Sequence, residues 1–562
     1  KDGDARAGYK ALELDIRRYK KLKMFIHAES KNGEIPINDN EISVFVRLGT
    51  DFNDNYYEYE IPLKVTPPGY YDPNSEADQK IVWPEANNME INLQELIELK
   101  KLRNQALSTN AASVAINKPY EGTDGNNIMR VKGNPNLANV KVIMIGVRNP
   151  RAETNKFDDD GLSKCAEVWV NELRLAEFDN KGGWATTARA TTTLADLGNI
   201  TLAGNYSTPG FGSIDQKVNE RQQEIRRSYD LSTSVELGKF IPKSIGISLP
   251  VYYNVSEGRI TQRYNPLDPD VELNDLIKDK SLDKTYRDSI ARRTETYTKR
   301  RTLTFTNVRK LPSKNKKKSH FYDISNWSFT YAYTENFLRD YSIEFDTRKS
   351  HRGGISYNFT NNPKNYKPFS KAKWAKKKSL KFIKDFNFYL MPKQLSFNTT
   401  FDRQYAERQN RNNTGFDFEL PTYYQKNFTW NRTYSLKYDI TKSLKFSFQA
   451  TNNALVGEPQ GRVDKRYKDE YNQFKDSVMA SLTQFGLNTQ YHHSSDINYT
   501  LPFSKFRPLN WINSSASYTG GYDWKRAPIG ADTLGHTIQN SNTLSLNTQF
   551  NLTKLYNKVP YL

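Results

Sequence analysis

The sequence predicts a mainly β protein: a large transmembrane antiparallel β-barrel, present as a segment of about fifteen strands, preceded by a β-sandwich-like domain with one helix. Three observations carry that expectation. From about Trp184 onward, apolar and small polar residues alternate with period two almost to the end of the chain. The chain holds 35 Tyr, 29 Phe and 8 Trp despite a mean hydropathy of -0.80, too many large apolar side chains for a disordered polymer. No run approaches the roughly 18 apolar residues of a membrane helix, whereas alternating strands cross a bilayer without leaving such a run. At 562 residues the chain also exceeds what one ordinary core holds, so more than one domain is expected.

Residues 1–182 read as the sandwich-like domain. "LKMFIHAES", "ISVFVRLG", "YYEYEIPLKV", "VKVIMIGVRN" and "AEVWVNELRL" are compact strands bounded by Asn, Gly and Pro turns. The helix "NLQELIELKKLRNQAL" opens at Asn92, a good N-cap, with Glu95 three residues on. Lys1 opens in mid-domain, without a signal peptide.

Residues 183–562 read as barrel strands. In "NWSFTYAYTE", Trp327, Phe329, Tyr331 and Tyr333 share one face, while Ser328, Thr330 and Thr334 share the other. The first row continues through Tyr341, Ile343 and Phe345, then Leu395 and Phe397, then Leu444, Phe446 and Phe448, and last Leu544, Leu546 and Phe550. The opposite row continues through Ser396, Asn398 and Thr400, then Ser545, Asn547 and Gln549. In a barrel the first set is the lipid-facing girdle and the second lines the lumen. A soluble sheet would turn the first set inward instead.

Connection lengths favour the barrel. "TLADLGNIT", "GKFIPKS", "RKSHRGG", "MPKQ", "ITKS" and "LPFSKFRP" read as short turns alternating with long connections at 209–227, 256–297, 362–384, 407–427, 454–484 and 525–540. Outer-membrane barrels sort short periplasmic turns from long extracellular loops in this way. The 309–323 lysine segment, of medium length, is the exception. The same parity attaches the 1–182 domain at the extracellular mouth, as a cap or plug. Helical patterns at Tyr467, Tyr471, Phe474, Val478 and Leu482, and at Leu273, Leu276, Ile277 and Ile290, suit packing over that mouth.

Catalytic chemistry finds little support, so no enzyme, metal or cofactor is expected. The six histidines are scattered, and His492 with His493 lacks further ligands nearby in sequence. "DFNDN" at 51 and "DDDG" at 158 have calcium-like composition without the ligand spacing. "GNYSTPGFGS" at 204 lacks the lysine and helix of a phosphate loop. The single cysteine, Cys165, reads as a packed thiol. Net charge of +19 gathers in "RKLPSKNKKK" (Arg309 to Lys318) and "KAKWAKKK" (Lys371 to Lys378), read as solvated loops or contacts to anionic lipid and lipopolysaccharide phosphates. Nucleic acid is not an expected partner, because the aromatics belong to strand alternations.

The passage from Val168 to Arg221 resembles the SprA family, also called Sov. Its most specific pieces are "NELRL…FDNKGGWA" and "TPGFGS", and "FNLTKLYNKVPYL" at the end is also similar. The resemblance implies an outer-membrane translocon of the Bacteroidetes type IX secretion system, linked to gliding motility: one very large single-chain barrel exporting folded cargo with C-terminal secretion domains. It further implies partner subunits at a lateral opening and a periplasmic plug. An odd strand number without closing strands fits a wall incomplete in this chain. The readings set against this are a TonB-dependent nutrient receptor and a soluble β-repeat surface adhesin.

Overall fold

The computed structural model describes residues 1–108, 114–280, 282–312, 320–372, 380–414, 418–506 and 508–558. Most residues of the two lysine clusters, 313–318 and 373–378, lie outside this set. The chain divides into two compact units. The first comprises Lys1–Thr186 with two later segments, Tyr206–Arg226 and Ile260–Glu295.

Within the first unit, a six-stranded sheet and a three-stranded sheet share one core. The larger has the spatial order Ala5–Leu14, Val140–Arg148, Ser43–Gly49, Tyr56–Pro62, Asn127–Lys132, Tyr120–Asp124. The smaller pairs Tyr19–Ser30 with Met89–Asn92 on one side and Ala166–Phe178 on the other. The five strands expected from sequence form, and four more join them, Ala5–Leu14, Met89–Asn92 and the hairpin Tyr120–Asp124 with Asn127–Lys132, whose polar or short runs alternate weakly. Ile26, Val44, Leu48, Tyr57, Leu63 and Val131 fill the space between the sheets. The helix Leu93–Ser108 adds Leu96 and Leu99 to that core, and Asn92 caps it, its Oδ1 accepting from the Gln94 N–H at 3.1 Å.

The later segment Ile260–Glu295 enters the same core. Val271 is buried in it, and Leu276, from the helix Leu273–Lys278, packs against it. Asp270 is the polar centre of this insertion: its carboxylate accepts from Lys100 Nζ at 2.9 Å, Tyr57 Oη at 2.7 Å and the Leu137 N–H at 2.6 Å. Lys100 also bonds Asp268 at 2.8 Å and the Pro135 carbonyl at 2.8 Å, so its buried ammonium is fully used. Next to Asp270, burial and the negative charge of that carboxylate push the Tyr57 phenol well above its ordinary value.

The second unit comprises Thr187–Asn205, Arg227–Arg259 and Thr296–Leu562. It is one antiparallel sheet of 14 strands in which neighbours in space are neighbours in sequence, apart from the two-residue strand Ile247–Ser248. The sheet is open: Ala185–Leu194 stands at one edge and Thr537–Phe550 at the other, and these two strands do not pair. Among the described residues no helix is long and apolar enough to cross a membrane, a criterion that does not bear on strands.

Two connections differ from the sequence reading. "RKSHRGG" is no turn: Arg348 to Gly354 lie inside the 18-residue strand Ile343–Thr360, with Gly353 paired to Tyr331 on one side and Phe401 on the other. The turn is instead Asp340 to Ser342, where the Asp340 carboxylate accepts from the Ser342 and Ile343 N–H groups at 2.7 and 2.8 Å. Length sorting therefore breaks at two places besides the 311–326 connection. A tight turn falls on the end that carries the long connections, and 361–393 falls on the end that carries the short ones.

Candidate functional site: a two-faced wall

Register converts the alternation into two continuous faces. Trp327 pairs with Tyr357, Tyr357 with Phe397, and Phe397 with Tyr434. Farther along the sheet, Phe446 pairs with Ile497, Ile497 with Tyr518, and Tyr518 with Leu544. Opposite residues of an antiparallel pair share a face, so one face carries apolar side chains across eight successive strands. Ring contacts knit it laterally, at 5.0 Å for Trp327 with Tyr357, 5.1 Å for Phe397 with Tyr434 and 4.9 Å for Phe401 with Trp430. Many of these side chains are uncovered; Phe329 is 49% exposed and Leu544 78%.

The other face is built from hydroxyls and amides. Ser328 pairs with Ser356, Ser356 with Asn398, and Asn398 with Thr433. Ser396 pairs with Ser435, Thr400 with Asn431, Ser545 with Ser517, Asn547 with Ser515 and Gln549 with Asn513. Thr330 and Thr334 lie on this face opposite Gly354 and Ser350. Side chains link some rungs, as where Ser356 Oγ donates to Asn398 Oδ1 at 2.7 Å.

Of the residues singled out from sequence, two fall elsewhere. Tyr341 lies in the tight turn, not on a strand. Ile343 pairs with Asn410 while Phe345 pairs with Gln409, so the irregularity between them sets Ile343 off the face of Phe345, and Ile343 is buried. Phe345, Leu395, Phe397, Leu444, Phe446, Phe448, Leu546 and Phe550 share the apolar face with Trp327, Phe329, Tyr331 and Tyr333.

Toward the end of the sheet that carries 456–486, the apolar face turns polar and that connection folds against it. Arg403 makes a bidentate pair with Glu458 at 2.5 and 3.0 Å and lies 4.8 Å over the Phe474 ring. Phe485 stacks on Trp430 at 5.9 Å, and Arg432 donates to the Phe485 carbonyl at 3.1 Å. The helix Lys468–Thr483 thus applies Phe474 to the strand parity that carries the apolar row, where its apolar spacing had suggested a lid over a mouth.

The acidic and histidine stretches have local uses. Burial would raise the Asp51 carboxyl, but backbone N–H groups of Asp54, Asn55 and Asn53 and the Asn55 amide hold it down at about 2. Glu41, Asp159 and Asp160 bring their oxygens within 4.8 Å of one another, yet Lys164 Nζ bonds Glu41 at 2.8 Å and Asp160 at 2.6 Å, supplying the positive charge itself. His492 meets Asp523 at 2.7 Å on the polar face while His493 stacks on Tyr522 on the other, so the pair cannot share one ion.

A junction missed as geometry in the sequence joins the two glycine-bearing motifs. Trp184 N–H donates to Thr208 Oγ1 at 2.9 Å and Thr208 N–H to the Trp184 carbonyl at 3.0 Å. A Cβ on Gly183 would lie 2.1 Å from the Phe211 nitrogen, and one on Gly210, at φ +87°, 2.6 Å from the Lys181 carbonyl. Arg18 ties the same junction, donating to the Asp179 carbonyl at 2.5 Å and to that of Val218. "FDNKGGWA" and "TPGFGS" are thus one piece of structure, and residues 1–277, which contain both, match the family model for the SprA N-terminal region, described as a motility related/secretion protein. The chain belongs to the SprA family. No curated protein matches it. In this SprA-family chain the matched residues include the whole Lys1–Thr186 segment, the Tyr206–Arg226 segment and the first half of Ile260–Glu295, the three pieces of the first unit.

Proposed function

We propose that this segment forms part of the wall of an outer-membrane protein-conducting channel of the type IX secretion system, exporting folded cargo with C-terminal secretion domains and serving gliding motility. The observation that carries the reading is the continuous pair of faces, one of exposed aromatics and aliphatics, the other of hydroxyls and amides. Facing lipid, the apolar rows lose their exposure to water, and the hydrogen-bonded ladder keeps backbone groups satisfied in hydrocarbon. Facing a lumen, Ser396, Asn398 and Thr400 pass a hydrated protein without an apolar surface on which it would stick. The two unpaired edges call for further strands to close the wall. The first unit serves as a cap or plug at the extracellular mouth. Supporting this, the chain passes between the units five times, always at the strand ends that carry 208–223, 263–295 and 456–486.

Export is the test. Substituting Ser396, Asn398 and Thr400 together by Phe is expected to leave the protein in the outer membrane while cargo accumulates in the periplasm. Undiminished export would remove the lumen from this face. Export loss accompanied by loss of the protein from the membrane would report misassembly, which single substitutions at the same sites then separate.

A further inference from the structure

Charge is distributed unevenly between the two ends of the large sheet. The six connections at one end, 195–197, 237–249, 311–326, 361–393, 440–443 and 502–511, hold nineteen Lys and Arg against three Asp, so they account for nearly all of the chain's net charge of +19. Part of that charge lies outside the described residues, but four turns show a repeated arrangement among those that are described. Lys243, Lys393 and Lys442 lie in these connections and Lys310 ends the strand that enters another, each near the point where an apolar row begins or ends, at Ile247, Leu395, Leu444 and Val308 respectively. None of the four makes an ion pair among the described residues, whereas Lys239 and Lys505 of the same end are paired with Asp196 and Asp385. Large apolar side chains project beside them: Phe240 is 73% exposed, Leu390 64%, and Leu311, Met391 and Ile440 are also uncovered. "PKS", "PKQ" and "TKS", which recur at 242, 392 and 441, are three instances of this pattern.

A solvated turn has no need for apolar side chains among its lysines, and a protein core has no place for unpaired lysines. Both belong together where hydrocarbon meets headgroups: the apolar groups enter the acyl boundary and the ammonium groups extend to phosphate. We propose that these turns form a cationic collar that binds anionic glycerophospholipid headgroups in the leaflet at this end of the wall. The proposal rests on the membrane reading above and adds a lipid class and the residues that select it. Phosphatidylglycerol is the probe, since it presents one phosphate without the compensating ammonium of phosphatidylcholine.

The complete protein, reconstituted into vesicles of phosphatidylcholine with a minor share of phosphatidylglycerol and re-extracted in mild detergent, is analysed for the lipid that stays bound. Phosphatidylglycerol is expected to be enriched about fivefold over its input share, the factor that about 1 kcal/mol per lysine at an anionic surface corresponds to. The variant carrying Lys243→Gln, Lys310→Gln, Lys393→Gln and Lys442→Gln is expected to bind the two lipids in their input ratio. The matching quadruple Arg variant, which keeps the charge, is expected to retain the enrichment. Equal lipid shells in wild type and Gln variant would overturn the collar, as would lysine-dependent preference for lipopolysaccharide when both lipids are offered. Release of the wild type from vesicles by alkaline carbonate would overturn the membrane reading itself, and the collar with it.

Discussion

Phe397 and Asn398 are covalent neighbours that occupy opposite faces of the same strand, which makes them the sharpest single-residue test of the wall. A lysine at mid-depth on a lipid face costs about 2 to 4 kcal/mol, so Phe397→Lys is expected to impair assembly while Asn398→Lys is tolerated. Heat-modifiable migration of the outer-membrane fraction reads this directly, and equal tolerance would remove the assigned facing. In the first unit, Glu58 is a comparable residue. It is 1% exposed and ion-paired with Arg47, Arg130 and Arg148. Burial would raise its carboxyl, but the guanidinium groups of Arg148, Arg47 and Arg130 prevail and hold it below its ordinary value. A depressed carboxyl contributes stability that is complete above the unfolded-state value and is lost as pH falls through the folded one. The first unit is therefore expected to loosen below about pH 4, continuing toward the Asp51 value of about 2, as followed by near-ultraviolet circular dichroism. Glu58→Gln should cost about 3 to 5 kcal/mol at neutral pH and flatten the acid limb, because it leaves buried guanidinium charge uncompensated.

Elements differ in how openly the sequence declares them. Rows such as Leu395 to Phe401 are legible because one face needs bulk and the other needs polarity, a requirement that repeats every two residues. "RKSHRGG" misleads because two glycines and five polar residues look like punctuation, although the ladder runs through them and Tyr331 and Phe401 flank Gly353 from both sides. The real turn at Asp340 carried a signal, an Asp two residues before Ser in a strand break, but aromatic Tyr341 disguised it as a row member. The destination of Ile260–Glu295 was illegible for another reason: helical spacing at Leu273 and Leu276 marks an apolar face and not the core that receives it. Asp270 identifies that core. Lys100→Met is expected to leave Asp270 buried with less than its full set of donors, costing about 3 to 5 kcal/mol and opening 260–295 to limited proteolysis. Gly183→Ala should destabilise the neighbouring junction by about 1 to 3 kcal/mol in thermal unfolding, since the Phe211 backbone occupies the space of the new methyl.

For the whole molecule, the faces of the wall and the cap make separate claims. Protease added to intact cells is expected to cut the first unit if it caps the outside, and complete protection would count against that placement. The five passages of the chain also bear on how the molecule is made. Residues 1–186 leave the ribosome before Asp270 exists, so Lys100, Tyr57 and the Leu137 N–H wait for their acceptor until wall strands have been synthesised in between. Such contacts between distant parts of the chain close slowly and leave apolar surface uncovered meanwhile. Completion of the first unit is thereby tied to chain length: its core is expected to stay unfinished until synthesis has passed Glu295, so a chain truncated at 186 should be less protected from protease in that unit than the full chain.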